Sequence, residues 1–211
     1  MPASPPAAAA LRSERVERKR QRILDAAGQC FAASGYAKTT VEEIARAAGV
    51  SKALVYQHFR GKEEILEAVL ERTLLNWARV ARVESLPAAN SVLEALADTF
   101  RSAVAYARDN PVLRAFFRLD PLVLMGIGSR AVRRQMDEVR RALVDAIAAG
   151  IESGELREDL EVGRVADVIR ILQIAFIDHV INPEWLDASD EGLVETSIDM
   201  LSHGIAARRR R

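Results

Sequence analysis

The side chains best suited to binding a ligand are concentrated between residues 40 and 62. Two lysines, a tyrosine, a histidine and a glutamine lie there among hydroxyl residues. Hydrogen-bond donors and positive charge of this kind suit a polyanion. No serine or cysteine nucleophile is marked by a recognisable elbow, and His58, His179 and His203 are too scattered for a metal site of known spacing. We therefore expect no catalytic residue, no metal and no cofactor.

Two short helices around a tight turn would position these side chains. Thr40-Val41-Glu42-Glu43 is a capping box, in which hydroxyl and carboxylate each satisfy the other residue's backbone amide. Gly49 ends the first helix because glycine readily takes a positive φ, and Ser51 caps the second. The spacing predicts a helix-turn-helix, whose second helix points its N-terminal residues at DNA bases in the major groove. That end carries Ser51, Lys52, Ala53 and Leu54.

The charge distribution agrees with this prediction, although the formal net charge is zero. Up to Lys62 the chain has eleven basic side chains against five acidic ones, so this part is +6 and the remainder −6. A basic segment attached to an acidic remainder of the chain suggests that the segment binds a polyanion. The single cysteine, Cys30, excludes an internal disulfide. No secretory signal or apolar span of ~18 residues is visible, so we expect a cytoplasmic protein with no membrane contact.

Helical periodicity without alternating β-branched runs predicts an all-α fold of about nine helices. We expect a disordered extension over residues 1–15, a three-helix DNA-binding domain with the helix-turn-helix over 16–62, and a larger helical domain over 63–207. A basic tail follows over 208–211. The helices are expected at 16–34, 41–48, 51–59, 62–84, 91–108, 112–119, 129–153, 162–180 and 187–207.

The segment 51–65 resembles the signature of the TetR family of transcriptional regulators. Its core is Tyr-x-His-Phe ending at Phe59, followed by Lys-Glu-Glu-apolar beginning at Lys62. The stretch 31–40 is similar to the family's link between its first two helices, and 150–159 to the loop before its dimerising helices. Gly61 and Leu54 depart from the residues usual in the family.

The resemblance implies roles for the matched positions. Thr40, Tyr56, His58 and Lys62 would contact phosphates, and Lys52, Ala53 and Gln57 would face bases. The residue types agree with these roles, since a lysine can reach O6 and N7 of guanine, and Lys62 would sit beside a helix N-terminus, which favours phosphate.

The predicted assembly is a homodimeric repressor, because a symmetric dimer matches a palindromic operator whose half-sites lie about one helical turn apart, or a multiple of it. We place the interface on the last two helices, whose apolar stripes include Val165, Ile169, Leu172, Phe176, Leu193, Ile198 and Leu201. The resemblance also implies a small-molecule effector in the larger domain. Candidate lining residues are Trp77, Tyr106, Phe116, Phe117, Met125, Phe176 and His179.

Weaker signals leave other interpretations open. Residues 126–131 read Gly-x-Gly-x-x-Ala, as in a dinucleotide-binding turn, but such a turn needs a parallel sheet and none is predicted. Asp178-His179 could be half of a catalytic dyad, although a structural or pocket-lining histidine is the stronger hypothesis. The rival functions are a helical enzyme, which a turnover screen would reveal, and an architectural protein that binds DNA with a specificity ratio near one.

Overall fold

The computed structural model describes residues 5–118, 129–182 and 191–207. These residues form nine α-helices: α1 Pro5–Ser34, α2 Val41–Ala48, α3 Lys52–His58, α4 Lys62–Val80, α5 Val92–Asp109, α6 Pro111–Phe117, α7 Ser129–Glu152, α8 Val162–Ile181 and α9 Glu191–Ile205. Within the described ranges the β-structure is limited to one isolated antiparallel bridge between Leu156 and Ala206. The all-α prediction is confirmed, and the sheet that a dinucleotide turn would need is missing from this part of the chain. None of the described helices combines the length and apolarity needed to cross a membrane.

The chain forms two compact units that divide within α4, after Arg72. The start of α4 belongs to the first unit, where Arg72 forms an ion pair of 2.8 Å with Asp25 of α1. The first unit therefore extends beyond the predicted boundary at Lys62. Its core is built from the buried apolar side chains of four helices, among them Ile23, Leu24, Ala27, Phe31, Ile44, Ala45, Val55, Phe59, Ile65 and Leu66.

Helix α1 begins at Pro5, so the predicted disorder over residues 1–15 is wrong from that residue onward. The Ala- and Pro-rich composition suggested disorder, but alanine is the strongest helix former and proline is accepted in the first helical turn. The side chains from Ala10 to Lys19 are all exposed. This part of α1 therefore projects beyond the core of the first unit.

Helix α4 also differs from its predicted span. It ends at Val80 instead of about Glu84, because Arg82 takes a left-handed φ of 56°. A 3-10 turn over Val83–Ala88 then leads to α5. Several predicted features lie outside the described residues, namely residues 1–4, Met125, most of the segment 126–131, the start of the last predicted helix and the tail 208–211.

The second unit is held together partly by polar contacts between its helices and loops. The Trp77 indole donates to the carbonyl of Ala103 at 3.2 Å. The Glu155 carboxylate lies at the N-terminus of α5 and accepts from the Ser91 hydroxyl at 2.6 Å and the Val92 amide at 2.7 Å. Each contact joins segments more than twenty residues apart, so the loop after α7 helps to fix the start of α5.

Candidate nucleic-acid interface

Helix α2 and the turn after it have the predicted local structure. The Thr40 amide donates to Glu43 Oε2 at 2.8 Å and the Glu43 amide to Thr40 Oγ1 at 3.2 Å, so the capping box is complete. Gly49 ends α2 with a φ of 63°, a conformation that glycine adopts at little cost. A Cβ at Gly49 would also lie 2.9 Å from Nη2 of Arg22. The turn therefore needs glycine for its backbone conformation, whereas a Cβ would only require the guanidinium group of Arg22 to shift.

Helix α3 has a buried side and an exposed side. Val55 is fully buried and Phe59, which follows the helix, is 3% exposed. The Ser51 hydroxyl accepts from the Leu54 amide at 3.2 Å and fixes the first turn. The structure brings the predicted base-facing and phosphate-facing residues together at the surface: Ser51, Lys52, Ala53, Tyr56 and Gln57 are exposed, while Leu54 and His58 are half-buried. Two buried anchors thus present one row of polar side chains to solvent.

Lys52 makes an ion pair with Glu42 of α2 and lies over the Tyr56 ring, with 5.8 Å between its Nζ and the ring centroid. The hydrogen bond between the two groups raises the pKa of Lys52 and lowers that of Glu42, so both stay charged. Both side chains are about half exposed, and exposed ion pairs are weak. The pair orients Lys52 without preventing it from turning toward another partner.

Lys62 occupies a different environment from the one that the sequence suggested. Its Nζ donates to the carbonyls of Tyr36 at 2.8 Å, Thr39 at 2.9 Å and Ala37 at 3.4 Å. It also lies 4.4 Å from the centroid of the Tyr36 ring. An ammonium group has three donors, and three carbonyls of the loop between α1 and α2 accept from this one. Lys62 therefore has a structural role in the first unit, and its contact with phosphate stays a prediction.

Two residues at the interface carry roles that sequence reasoning missed. Glu42 was counted only as part of a capping box, yet it is the partner of Lys52. Arg22 was counted only as a basic residue, yet its Nη2 donates to the carbonyl of Ala48 at 2.6 Å and holds the end of α2 against α1. Both contacts join different helices, so no spacing within one helix could have indicated them.

The predicted effector residues are mostly part of the interior of the second unit. Trp77 and Phe116 are buried, whereas Tyr106, Phe117, Phe176 and His179 are half-buried. Nε2 of His179 is buried without a hydrogen-bond partner in the described part of the chain, and so is Nε2 of Gln135. Those same ranges contain no group of three or more His, Cys, Asp or Glu side chains that could hold a metal ion.

The stripe predicted to form the dimer interface faces partly into its own unit. Ile169 and Ile198 are each 8% exposed, and both line a small apolar crevice with Leu201 and Phe100 of α5. The Phe176 ring meets Phe100 edge-on, with 5.4 Å between centroids. Val165, Leu172 and Leu193 are half-buried. Within one protomer Ile169, Phe176 and Ile198 thus contribute to the packing of the second unit, and their place at an intersubunit surface stays a prediction.

The exposed apolar residues of α8 and α9 lie on another face. Val168 is 50% exposed, Ile171 63% and Met200 of α9 71%. Helix α8 is apolar on most of its circumference, and a helix of that kind has no single stripe that periodicity can assign to the core. The exposed apolar side chains of α8 therefore lie on a different face from Ile169, which the sequence analysis included in the interface.

This geometry, with α3 anchored by buried residues and its polar side exposed, defines a helix-turn-helix protein that binds DNA and regulates transcription. The family model for bacterial regulatory proteins of the tetR family matches residues 23–69, which include the whole motif. The HTH-type transcriptional repressor KstR2 of Mycolicibacterium smegmatis is 30% identical over 153 residues, which cover 72% of this chain and 74% of KstR2. The chain therefore belongs to the TetR family.

Solved structures extend the likeness to the larger unit. A TetR-family transcriptional regulator from Mesorhizobium loti has a TM-score of 0.76 at 21% identity, over 92% of this chain and 99% of that one. SmeT, the repressor of the Stenotrophomonas maltophilia multidrug efflux pump SmeDEF, matches in its triclosan complex with a TM-score of 0.75 at 22% identity, over 91% of this chain and 93% of that one. At these identities the comparison shows a shared fold.

Proposed function

We propose that the protein is a homodimeric repressor that reads a palindromic operator through α3 and releases it when a small-molecule effector binds the larger unit. The observation that carries the proposal is the exposed row on α3, which Val55 and Phe59 hold in place from the buried side. Lys52 supplies a cation for guanine, Tyr56 a hydroxyl for a phosphate, and Gln57 an amide for a base edge. The site of action would be the cytoplasm.

Dimerisation is supported by the exposed apolar face of α8. Val168 and Ile171 lie three residues apart, hence on one side of the helix, and Met200 adds exposed apolar surface on α9. Grouped exposed apolar side chains mark interaction sites on soluble proteins. A second copy of the same face would bury them, and a two-fold dimer would place two α3 helices on successive half-sites.

An effector is supported by buried polar atoms in the second unit. The Nε2 atoms of His179 and Gln135 have no partner among the described residues, and an unsatisfied buried polar group costs roughly 1–3 kcal/mol. The core of this unit is apolar and includes the aromatic side chains of Trp77, Phe100 and Phe116. The combination favours a largely apolar effector with at least one hydrogen-bonding group. The fold neighbour SmeT, known as a complex with triclosan, is consistent with a ligand of that kind.

Helix α4 is the element that would transmit effector binding, since its residues belong to both units. Arg72 pairs with Asp25 in the first unit, and Trp77 bonds to α5 in the second. Suppose that the second unit has two arrangements and that a ligand binds one of them more tightly. The ligand would then shift α4 and change the distance between the two α3 helices of the dimer, by as much as its affinity differs between the two arrangements.

The proposal is tested by selecting bound sequences from randomised duplex DNA and titrating the selected operator and a scrambled duplex with the full-length protein. We expect enrichment of a palindrome and roughly 10³-fold or greater preference for it. A preference near one would instead indicate an architectural DNA-binding protein. Adding apolar compounds to the operator complex then identifies an effector as a compound that dissociates it and raises the Tm of the DNA-free protein.

A further inference from the structure

We propose that the exposed N-terminal half of α1 binds the phosphate backbone of duplex DNA next to the sequence read by α3. The surface consists of Arg12, Arg15 and Lys19, which we call the α1 cationic stripe. It lies upstream of residues 23–69, the part matched by the family model. The inference rests on DNA binding through α3 and adds a second contact surface to it.

The three cations of the stripe lie on one side of α1 and are available to a ligand. Spacings of four and three residues place side chains on the same face of a helix. All three residues are exposed, and none has an ion-pair partner within the described ranges. The neighbouring acidic residues are turned to other cations, since Glu14 pairs with Arg18 at 3.5 Å and Glu17 with Arg20 at 3.8 Å.

Arg22 shows which way the stripe faces. It continues the spacing three residues after Lys19, and its Nη2 donates to the carbonyl of Ala48 at 2.6 Å. Gly49 and Ser51 follow directly and lead into α3. The stripe therefore lies on the side of α1 that looks toward the helix-turn-helix turn. With a rise of 1.5 Å per residue, Arg12 is about 15 Å along α1 from Arg22.

That length fits duplex DNA. At 3.4 Å per base pair, about 15 Å corresponds to roughly four base pairs of backbone. Lys19, Arg15 and Arg12 can therefore meet phosphates at increasing distance from the turn. Guanidinium groups suit this contact because their fork of donors matches two phosphate oxygens.

The exposed apolar residues of this segment argue against a membrane as the partner. A surface-lying amphipathic helix needs a continuous apolar face opposite its cations. Leu11 and Val16 are the large apolar side chains exposed here, at 47% and 54%. They are five residues apart, which places them about 140° apart around the helix. The segment thus offers cations in a row without the apolar face that lipid binding needs.

The test compares two triple variants of the full-length protein. Arg12→Gln/Arg15→Gln/Lys19→Gln removes the stripe, and glutamine keeps the helix propensity close to that of arginine and lysine. The matched control, Arg114→Gln/Arg141→Gln/Arg164→Gln, removes the same charge from three exposed arginines outside α1. Binding to a labelled mixed-sequence duplex is measured across a potassium chloride series, and circular dichroism checks that all variants keep their helix content.

We expect the stripe variant to have a log–log salt slope shallower by about 2.7 per protomer, since each neutralised phosphate contributes about 0.9. The control should change by less than about 0.9 per protomer. A third variant, Arg12→Lys/Arg15→Lys, should restore the wild-type slope. Hydroxyl-radical footprints on a selected operator should lose their outermost protections in the stripe variant.

Equal slopes for the stripe variant and the control would overturn the inference. If operator binding still fell on Lys52→Ala in that case, the proposed reading by α3 would stand and only the stripe would be wrong. Absence of DNA binding by the wild-type protein would contradict both the proposed reading by α3 and the contact of the α1 cationic stripe.

Discussion

The structural role of Lys62 leads to a prediction that separates it from Lys52. The change Lys62→Met keeps most of the side chain's stem and removes the ammonium group from the carbonyls of Tyr36 and Thr39. Two bonds of good length contribute about 1–1.5 kcal/mol each, and the contact with the Tyr36 ring about 0.5–1 kcal/mol. We expect the first unit to lose about 2.5–4 kcal/mol of stability. The exposed Lys52→Met is the control and should change stability by less than about 0.5 kcal/mol.

Amide hydrogen exchange in Val41–Ala48 is the suitable assay, because the chain has two compact units and a global melt would average over them. Lys62→Met should speed exchange there about 30-fold or more, since 1.4 kcal/mol corresponds to a factor of ten. At low temperature, where the variant stays folded, its DNA affinity should stay within about threefold of wild type, whereas Lys52→Met should lose specific affinity. The opposite pattern, with unchanged exchange and a uniform loss of affinity for all DNA sequences, would restore the direct phosphate contact and refute the structural role.

Three further predictions concern other contacts. The variant Glu42→Gln removes the charge that pairs with Lys52. Binding to scrambled DNA should therefore tighten, and its log–log salt slope should steepen by up to about 0.9 per protomer. An unchanged titration would mean that the ion pair has no effect on DNA binding. Burial raises the pKa of Glu155, but hydrogen bonds from Ser91, Val92 and Leu93 outweigh it and leave the pKa below its usual value. The stability this gives is present above the unfolded-state pKa of about 4.3 and is lost as the pH falls through the lower folded-state value, so Glu155→Gln should cost about 1 kcal/mol in neutral urea melts and progressively less in acid. Ile171→Glu should give monomers by sedimentation, whereas the control Leu75→Glu, at an apolar residue of α4 that is also more than half exposed, should not. If both variants remained dimers, the interface would lie elsewhere than on α8.

The sequence predicted local structure well wherever a residue type determines a backbone conformation. The capping box at Thr40 and the turn at Gly49 were placed correctly, because a hydroxyl before a helix and a glycine after it act within one turn. Lys52, Tyr56 and Gln57 were expected at the surface for the same reason, since Val55 and Phe59 fix the orientation of α3. Most of the helices were found within a few residues of their ends.

Contacts between helices were the part that the sequence could not supply. Nothing in the spacing of Lys62 shows that three carbonyls of a distant loop surround its ammonium group, nor that Glu42 meets Lys52. The face that α8 turns outward was likewise beyond prediction, because Ile169 and Ile171 are equally apolar and only packing against α5 distinguishes them. The exposed start of α1 was predicted to be disordered because an alanine-rich composition is compatible with either a disordered segment or a helix. The high helix propensity of alanine favours the helix.

The most direct test of the account is selection of bound DNA from a randomised duplex pool by the wild-type protein and by Lys52→Ala, sequenced side by side. We predict that the wild type enriches a palindrome with half-sites about one helical turn apart, or a multiple of it. Lys52→Ala should lose the preference at one base position in each half-site, at a cost of roughly 1–3 kcal/mol on the wild-type operator. Identical enriched sequences for the two proteins, or no enrichment by the wild type, would contradict the claim that the N-terminal end of α3 reads the bases.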